Sequence, residues 1–218
     1  MCSSASDQAV SPVLGHLVGN PPRLVLASAS PSRAAVLRQA GIRAASEPAR
    51  VDETEIKAAL RADGAGATEI AQALAELKAQ KVSRRHPGAF VIGADQMLDC
   101  EGVWLDKPSD HAQAAEHLRF LSGKTHRLIS AVCVVHDGTR LWHHVATASL
   151  TMRPLSEEFI AAYLDAVGPA AFTSVGAYQV EGLGAQLFAR IEGDHFTILG
   201  LPLLALMDFL RNHGVLAA

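Results

Sequence analysis

The segment SASPSR, residues 28–33, combines hydroxyl groups, a proline and an arginine in one turn and is the first candidate for chemistry. Ser30 followed by Pro31 is typical of an N-cap and the first position of a helix. The free N–H groups at a helix N-terminus favour phosphate, and the Arg33 guanidinium can bind phosphate oxygens in bidentate fashion. A positive charge in the first helical turn opposes the helix dipole, so phosphate binding is favoured over a capped helix with a solvated arginine.

Asp95 is the second candidate, because it comes just after a buried apolar segment, AFVIG at residues 89–93. Open α/β sheets bind their ligands at the carboxyl ends of such strands. A carboxylate there can hold a divalent cation or accept a proton from an attacking water molecule. An ordinary aspartate, with a pKa of about 3.9, is a weak base at neutral pH and needs a raised pKa or a metal-polarised water. On these local grounds, a cap of the following turn is an equally good interpretation of Asp95.

Two further polar pairs, at residues 52–53 (Asp-Glu) and 107–108 (Lys-Pro), lie beside predicted turns. Each pair alone is typical of a solvated surface. Together with Arg33 and Asp95 they would supply the acid, base and cations that suit Mg²⁺ and a polyphosphate. The sequence by itself leaves open whether these side chains meet in space.

Helices and strands alternate along the chain, and this pattern predicts an α/β fold with a mixed sheet flanked by helices. Strands are predicted at 23–27 and 89–93, in a hairpin of 128–136 and 141–152 around Asp137-Gly138, and in a glycine-rich region after Val175. Helices are predicted from residue 31 to a stop at Gly41, over 55–85 with a break at 64–66, over 110–121, over 157–166 and over 202–211. The last helix is expected to belong to the core rather than to an interface.

The chain has 218 residues, of which 49% are hydrophobic and 19% charged, and this composition excludes an intrinsically disordered protein. Its three cysteines match neither a disulfide framework nor a metal-binding spacing. The net charge of −3 leaves no basic surface for nucleic acid, and no apolar run reaches the ~20 residues that span a bilayer. We therefore expect a cytoplasmic protein without nucleic-acid or membrane partners, with residues 1–22 as a flexible extension and 23–218 as a single domain.

Seven short motifs, in order along the chain, carry a resemblance to one family. They are LVLASASPSR at 24–33, VDE at 51–53, LAELKAQ at 74–80, IGADQ at 92–96, KP at 107–108, LSGKTH at 121–126 and EGLGAQLFARIEGDHFTILGLP at 181–202. On these residues the chain resembles the Maf family of nucleoside triphosphate pyrophosphatases, which shares its architecture with the inosine triphosphate pyrophosphatases. The resemblance leaves only the first 22 residues uncovered, and it implies a two-lobed fold with a cleft between the lobes, and a homodimer.

The resemblance also implies a reaction and roles for individual residues. Family members hydrolyse a nucleoside triphosphate between the α and β phosphorus atoms, with Mg²⁺ or Mn²⁺, and release a nucleoside monophosphate and pyrophosphate. The implied roles are Asp95 as proton acceptor, Glu53 and Asp95 at the metal, Ser28 and Arg33 in the phosphate-contacting loop, and Lys78 and Lys107 as polyphosphate lysines. With the resemblance, catalysis becomes the favoured interpretation of Asp95.

Three positions that set the choice of base in the family fall on Ser32, Gln96 and Glu181. Members that act on dTTP and UTP usually have Arg, Thr and Gln there, whereas members that prefer 7-methyl-GTP usually have Trp, Gln and Glu. This chain matches the second pattern except at Ser32, which offers no aromatic surface to a cationic methylated base. The resemblance therefore favours a modified purine nucleotide such as 7-methyl-GTP, whose hydrolysis would clean the nucleotide pool. The alternatives are a dTTP/UTP pyrophosphatase of the same family and a nucleotide-binding regulator of cell division without turnover.

Overall fold

The computed structural model of the chain describes residues 22–217, so the predicted extension, residues 1–22, lies outside the described residues apart from residue 22. The strands are β1 (Leu24–Leu26), β2 (Ala45–Ser46), β3 (Phe90–Cys100), β4 (Val103–Leu105), β5 (Thr125–His136), β6 (Thr139–Met152) and β7 (Phe188–Glu192). The helices are α1 (Pro31–Gln39), α2 (Glu53–Ala62), α3 (Ala67–Ser83), α4 (His111–Leu121), α5 (Glu157–Val167), α6 (His195–Ile198) and α7 (Leu203–Asn212). None of the helices within residues 22–217 is long and apolar enough to cross a membrane.

The seven strands form one mixed sheet in the order β2-β1-β3-β5-β6-β7, with β4 paired to β3. β1 is parallel to β2 and β3, and the other strand pairs are antiparallel. Because successive side chains of a strand point to opposite faces, Val25 packs against α3 while Leu24 and Leu26 pack on the side of α1 and α7. The predicted mixed α/β sheet flanked by helices is therefore confirmed, and the division into two lobes with a cleft stays a prediction.

β3 is longer than the sequence predicted, and this changes the position of Asp95. The apolar segment 89–93 predicted a strand that ends before Asp95, but β3 continues to Cys100. The strand persists because its second half pairs with β5 and, near its end, with β4, whereas β1 accompanies it only to Ile92. Asp95 therefore lies inside β3, just beyond the level at which β1 ends and the turn to α1 begins.

The other element predictions were correct in type with one exception. The helix over 55–85 is broken where expected, with Gly64 at a φ of 86°, and the β5–β6 hairpin turns at Asp137 and Gly138, which both have positive φ. The C-terminal helix α7 does bury its apolar side in the core. Of the glycine-rich strands predicted after Val175 only β7 is present, because short 3₁₀ turns occupy 175–177 and 183–187 before it begins. Gly176 and Ala177 at positive φ cannot extend a strand there.

Candidate active site

A pocket of about 530 Å³ opens at the carboxyl end of β1. Its wall combines the turn into α1, the first turns of α2, the middle of α3 and β3, the segment after β4 and the region 173–181. All of the site residues that the family resemblance implied line it: Ser28, Ser32, Arg33, Glu53, Lys78, Asp95, Gln96, Lys107 and Glu181. The convergence that the sequence left open is therefore present.

Arg33 reaches from the first turn of α1 into the wall of this pocket. Its Nε donates to the Gly200 carbonyl at 2.8 Å, and its Nη1 contacts the Ala94 carbonyl at 3.1 Å and the Ser28 Oγ at 3.2 Å. Burial lowers the pKa of the guanidinium, and the nearby charges of Asp95 and Glu53 oppose that shift. Arg33 therefore does not require a bound anion, contrary to the prediction from the sequence, because these neutral oxygens already stabilise its charge. No hydrogen-bond partner of Nη2 occurs among residues 22–217, so that nitrogen can still bind a ligand.

Lys78 joins two carboxylates at the centre of the site. Its Nζ lies 2.6 Å from Asp95 Oδ1 and 2.7 Å from Glu53 Oε1. Asp52 caps α2 by accepting from the backbone N–H of Glu55, and this places Glu53 at the first helical position, facing Lys78. The side chains of Lys78 and Asp95 are almost completely buried, whereas that of Glu53 is 44% exposed.

The Asp95 side chain is buried, which is unusual for an aspartate. Burial raises its pKa, while the charges of Lys78 and Arg33 oppose the rise. Its second oxygen, Oδ2, is buried and has no hydrogen-bond partner among the described residues. A buried acceptor without a partner costs stability, and such groups are characteristic of catalytic or ligand-binding positions. Burial thus shifts the pKa of Asp95 in the direction that suits a proton acceptor.

Two carboxylates, those of Glu53 and Asp95, contact the same Lys78 ammonium. Within residues 22–217 no group of three or more His, Cys, Asp or Glu side chains is placed to hold a metal. Mg²⁺ is often bound by one or two carboxylates together with substrate phosphates and water, and Glu53 and Asp95 fit this smaller donor set.

Gln96 extends from β3 next to Asp95 and is held by its amide nitrogen. Nε2 lies 2.9 Å from Ser130 Oγ and 3.1 Å from both the Thr197 and Ile198 carbonyls. Since these are all acceptors, the amide oxygen is the atom left for a ligand. Glu181, which is exposed at the rim, adds a second acceptor to the same pocket.

Three charged residues of the pocket wall were not selected from the sequence: Arg50, Lys57 and Asp106. Lys57 and Asp106 form an ion pair with each other. Lys57 lies one helical turn after Glu53, and this spacing places both side chains on the same side of α2. The spacing could have revealed Lys57 once Glu53 had been selected. Asp106 directly precedes Lys107, whose pKa is lowered by desolvation at the wall and by the charges of Arg33 and Lys78.

A mixed sheet that opens into a pocket with several cations around a buried carboxylate is typical of α/β proteins that bind anionic ligands at strand ends. The family model described as Maf-like protein matches residues 23–213, and the chain belongs to the Maf family. A protein of Paramagnetospirillum magneticum named nucleoside triphosphate pyrophosphatase is 59% identical over 192 residues, covering 88% of this chain and 99% of the relative. A protein of Rhizobium etli named 7-methyl-GTP pyrophosphatase is 51% identical over 195 residues, covering 89% and 98%.

Proposed function

We propose that this chain is a nucleoside triphosphate pyrophosphatase, which hydrolyses its substrate between the α and β phosphorus atoms to a nucleoside monophosphate and pyrophosphate. The observation that carries the proposal is the buried Asp95 carboxylate, one oxygen of which has no partner among residues 22–217, inside a pocket lined by cations. The names of the relatives in P. magneticum and R. etli support the same reaction.

In this mechanism Asp95 accepts the proton of the attacking water. The water oxygen bonds to one of the two phosphorus atoms that share the α–β bridging oxygen, the bond from that phosphorus to the bridging oxygen breaks, and the bridging oxygen leaves with the other phosphorus. Arg33 and Lys107 stabilise the negative charge on the phosphate oxygens, which is the main requirement of phosphoryl chemistry. Lys78 orients the Asp95 carboxylate by binding Oδ1, so that Oδ2 is the oxygen left to take the proton.

We also propose that Glu53 and Asp95 bind Mg²⁺ or Mn²⁺ together with the substrate phosphates. When bound, the ion would neutralise phosphate charge and polarise the reacting oxygens. The ammonium of Lys78 already contacts both carboxylates, which supports their use by a single cation. Titration of the apoprotein with Mn²⁺, read by electron paramagnetic resonance, should give weaker binding for Glu53→Gln than for the parent chain.

For the substrate we propose a purine nucleotide of the 7-methyl-GTP type. Gln96 has only its amide oxygen left and Glu181 is a carboxylate, so both present acceptors to a ligand. The N1–H and exocyclic amine of a guanine edge are donors that match these acceptors. Initial rates with 7-methyl-GTP, dTTP and UTP test the assignment, and a clear preference for dTTP or UTP would contradict it.

Asp95→Asn tests the reaction itself. Because general-base catalysis contributes about 10²–10⁴-fold, we expect kcat for pyrophosphate release to fall by at least about 100-fold while nucleotide binding persists. Asp99→Asn is the matched control, since Asp99 is also a buried aspartate of β3 in an ion pair, with Arg127, but lies outside the pocket. Unchanged turnover in Asp95→Asn would remove Asp95 from the mechanism, and orthophosphate as the product would identify a different hydrolase. If the parent chain binds nucleotide but does not hydrolyse it, the protein is a nucleotide-binding regulator.

The homodimer and the cytoplasmic location expected from the sequence stay predictions that accompany this proposal. Light scattering coupled to size-exclusion chromatography measures the oligomeric state directly.

A further inference from the structure

Lys57 is a pocket cation for which the proposed reaction has no assigned use. It lies on α2 one turn after Glu53, and its side chain is only 17% exposed. Glu53 contacts Lys78, which contacts Asp95, so Lys57 stands beside the centre of the site rather than at a distant edge.

The partner of Lys57, Asp106, is much more exposed to solvent than Lys57 itself. The Asp106 side chain is 69% exposed, and an ion pair with so exposed a carboxylate contributes little to stability. A polyphosphate carries several negative charges and offers more oxygens than one carboxylate. It would therefore compete effectively with Asp106 for the Lys57 ammonium.

A purely structural pair is the alternative interpretation. In that case Lys57 and Asp106 would fasten α2 to the segment after β4, and would thereby position Lys107. The exposure of Asp106 argues against a strong fastening of this kind. The two interpretations predict different effects on phosphate binding. If the pair is structural, substitution of either residue weakens binding. If Asp106 competes with phosphate for Lys57, substitution of Lys57 weakens binding and substitution of Asp106 strengthens it.

We propose that Lys57 is a further phosphate-binding residue of this pocket, and that Asp106 occupies it only until a phosphate group replaces the carboxylate. The inference rests on the proposed function and deepens it by assigning one more contact to the polyphosphate of the substrate.

The test compares Lys57→Gln, Asp106→Asn and the double variant. Binding of inorganic triphosphate with Mg²⁺ is measured by calorimetry, because this probe is independent of the base, and KM is measured with the best nucleotide of the substrate panel. Lys57→Gln should raise the Kd for triphosphate and the KM about tenfold, which corresponds to about 1.4 kcal/mol. Asp106→Asn should lower both about two- to threefold, and this gain should vanish when Lys57→Gln is also present, because the competitor then has nothing to release.

The exposed ion pair of Lys124 with Glu101 provides the matched control, since its side chains are 34% and 64% exposed and lie outside the pocket. Lys124→Gln and Glu101→Gln should leave both constants unchanged. Lys57→Arg keeps the charge and should stay near the parent values, which separates loss of the ligand contact from misfolding. Constants that move in the same direction in Lys57→Gln and Asp106→Asn, or that do not move in Lys57→Gln, would overturn the inference while turnover by the parent chain keeps the proposed function. Absence of turnover in the parent chain would instead overturn the proposed function, and triphosphate binding would still decide the role of Lys57.

Discussion

A buried histidine–tyrosine pair beneath the pocket should make this protein sensitive to acid. His126 on β5 is 1% exposed, and its Nε2 lies 2.6 Å from the hydroxyl of Tyr178, a residue of the pocket wall. Its other nitrogen, Nδ1, has no partner among residues 22–217. Burial lowers the pKa of His126 from 6.5 to about 4, so the imidazole is neutral in the folded chain at physiological pH.

The size and direction of the effect follow from this difference between the folded and unfolded pKa. Between pH 6.5 and about 4 the unfolded chain binds a proton at His126 that the folded chain does not, so the free energy of unfolding falls as the pH falls through this range. The stabilisation is complete above pH 6.5 and is lost by about pH 4. A pKa change of this size corresponds to about 3 kcal/mol.

Urea unfolding followed by circular dichroism, at several pH values from 8 to 4, measures this loss. His126→Gln removes the titration, so its unfolding free energy should fall by about 3 kcal/mol less than that of the parent chain over the same range. His143→Gln, at an exposed position of β6, should follow the parent curve. Parallel pH profiles for the parent chain and His126→Gln would refute the argument, because burial of a neutral imidazole would then carry no linkage.

Two further substitutions test the packing and the anchoring of the site. In Gly93→Ala the new methyl group would lie 2.1 Å from the Ala75 carbonyl oxygen in α3, so we expect a loss of about 1–3 kcal/mol in urea unfolding. In Gly182→Ala the new methyl group would have no atom of a non-adjacent described residue within 4 Å, so this variant should show little change in stability. Arg33→Lys cannot reproduce the planar arrangement in which Nε donates to the Gly200 carbonyl and Nη1 to the Ala94 carbonyl, so pyrophosphate release should fall at least about tenfold, and wild-type rates would contradict this reason.

The sequence predicted the local part of the site well, because local signals are encoded in neighbouring residues. Ser30 and Pro31 start α1 as expected, with the Ser30 side chain accepting from the backbone N–H of Arg33. The end of the strand before Asp95 was misjudged because the apolar run stops at Gly93, whereas the strand is continued by pairing with β5, a segment far away in the chain.

Sequence patterns could not predict the contacts between segments that are far apart in the chain. Lys57 and Asp106 are 49 residues apart and meet only because α2 and the end of β4 border the same pocket. Arg33 and Gly200 are separated by 167 residues, and nothing near Arg33 in the sequence indicates that a carbonyl will accept from its Nε. Helix propensity and the dipole argument describe one element at a time, so they could not distinguish this carbonyl from a phosphate.

The charges of Lys78 and Arg33 affect the pKa of Asp95 differently before and after a substrate binds. Burial raises the pKa of Asp95, and the charges of Lys78 and Arg33 hold it below the value that burial alone would impose. If the pocket binds a triphosphate as proposed, the phosphate charges would offset those of Lys78 and Arg33 and add repulsion of their own. Each effect raises the pKa of Asp95, so the carboxylate would become a stronger base when a substrate is present. A site with Asp95 buried but without Lys78 would lack part of this coupling, because one of the two charges that oppose the effect of burial would be absent.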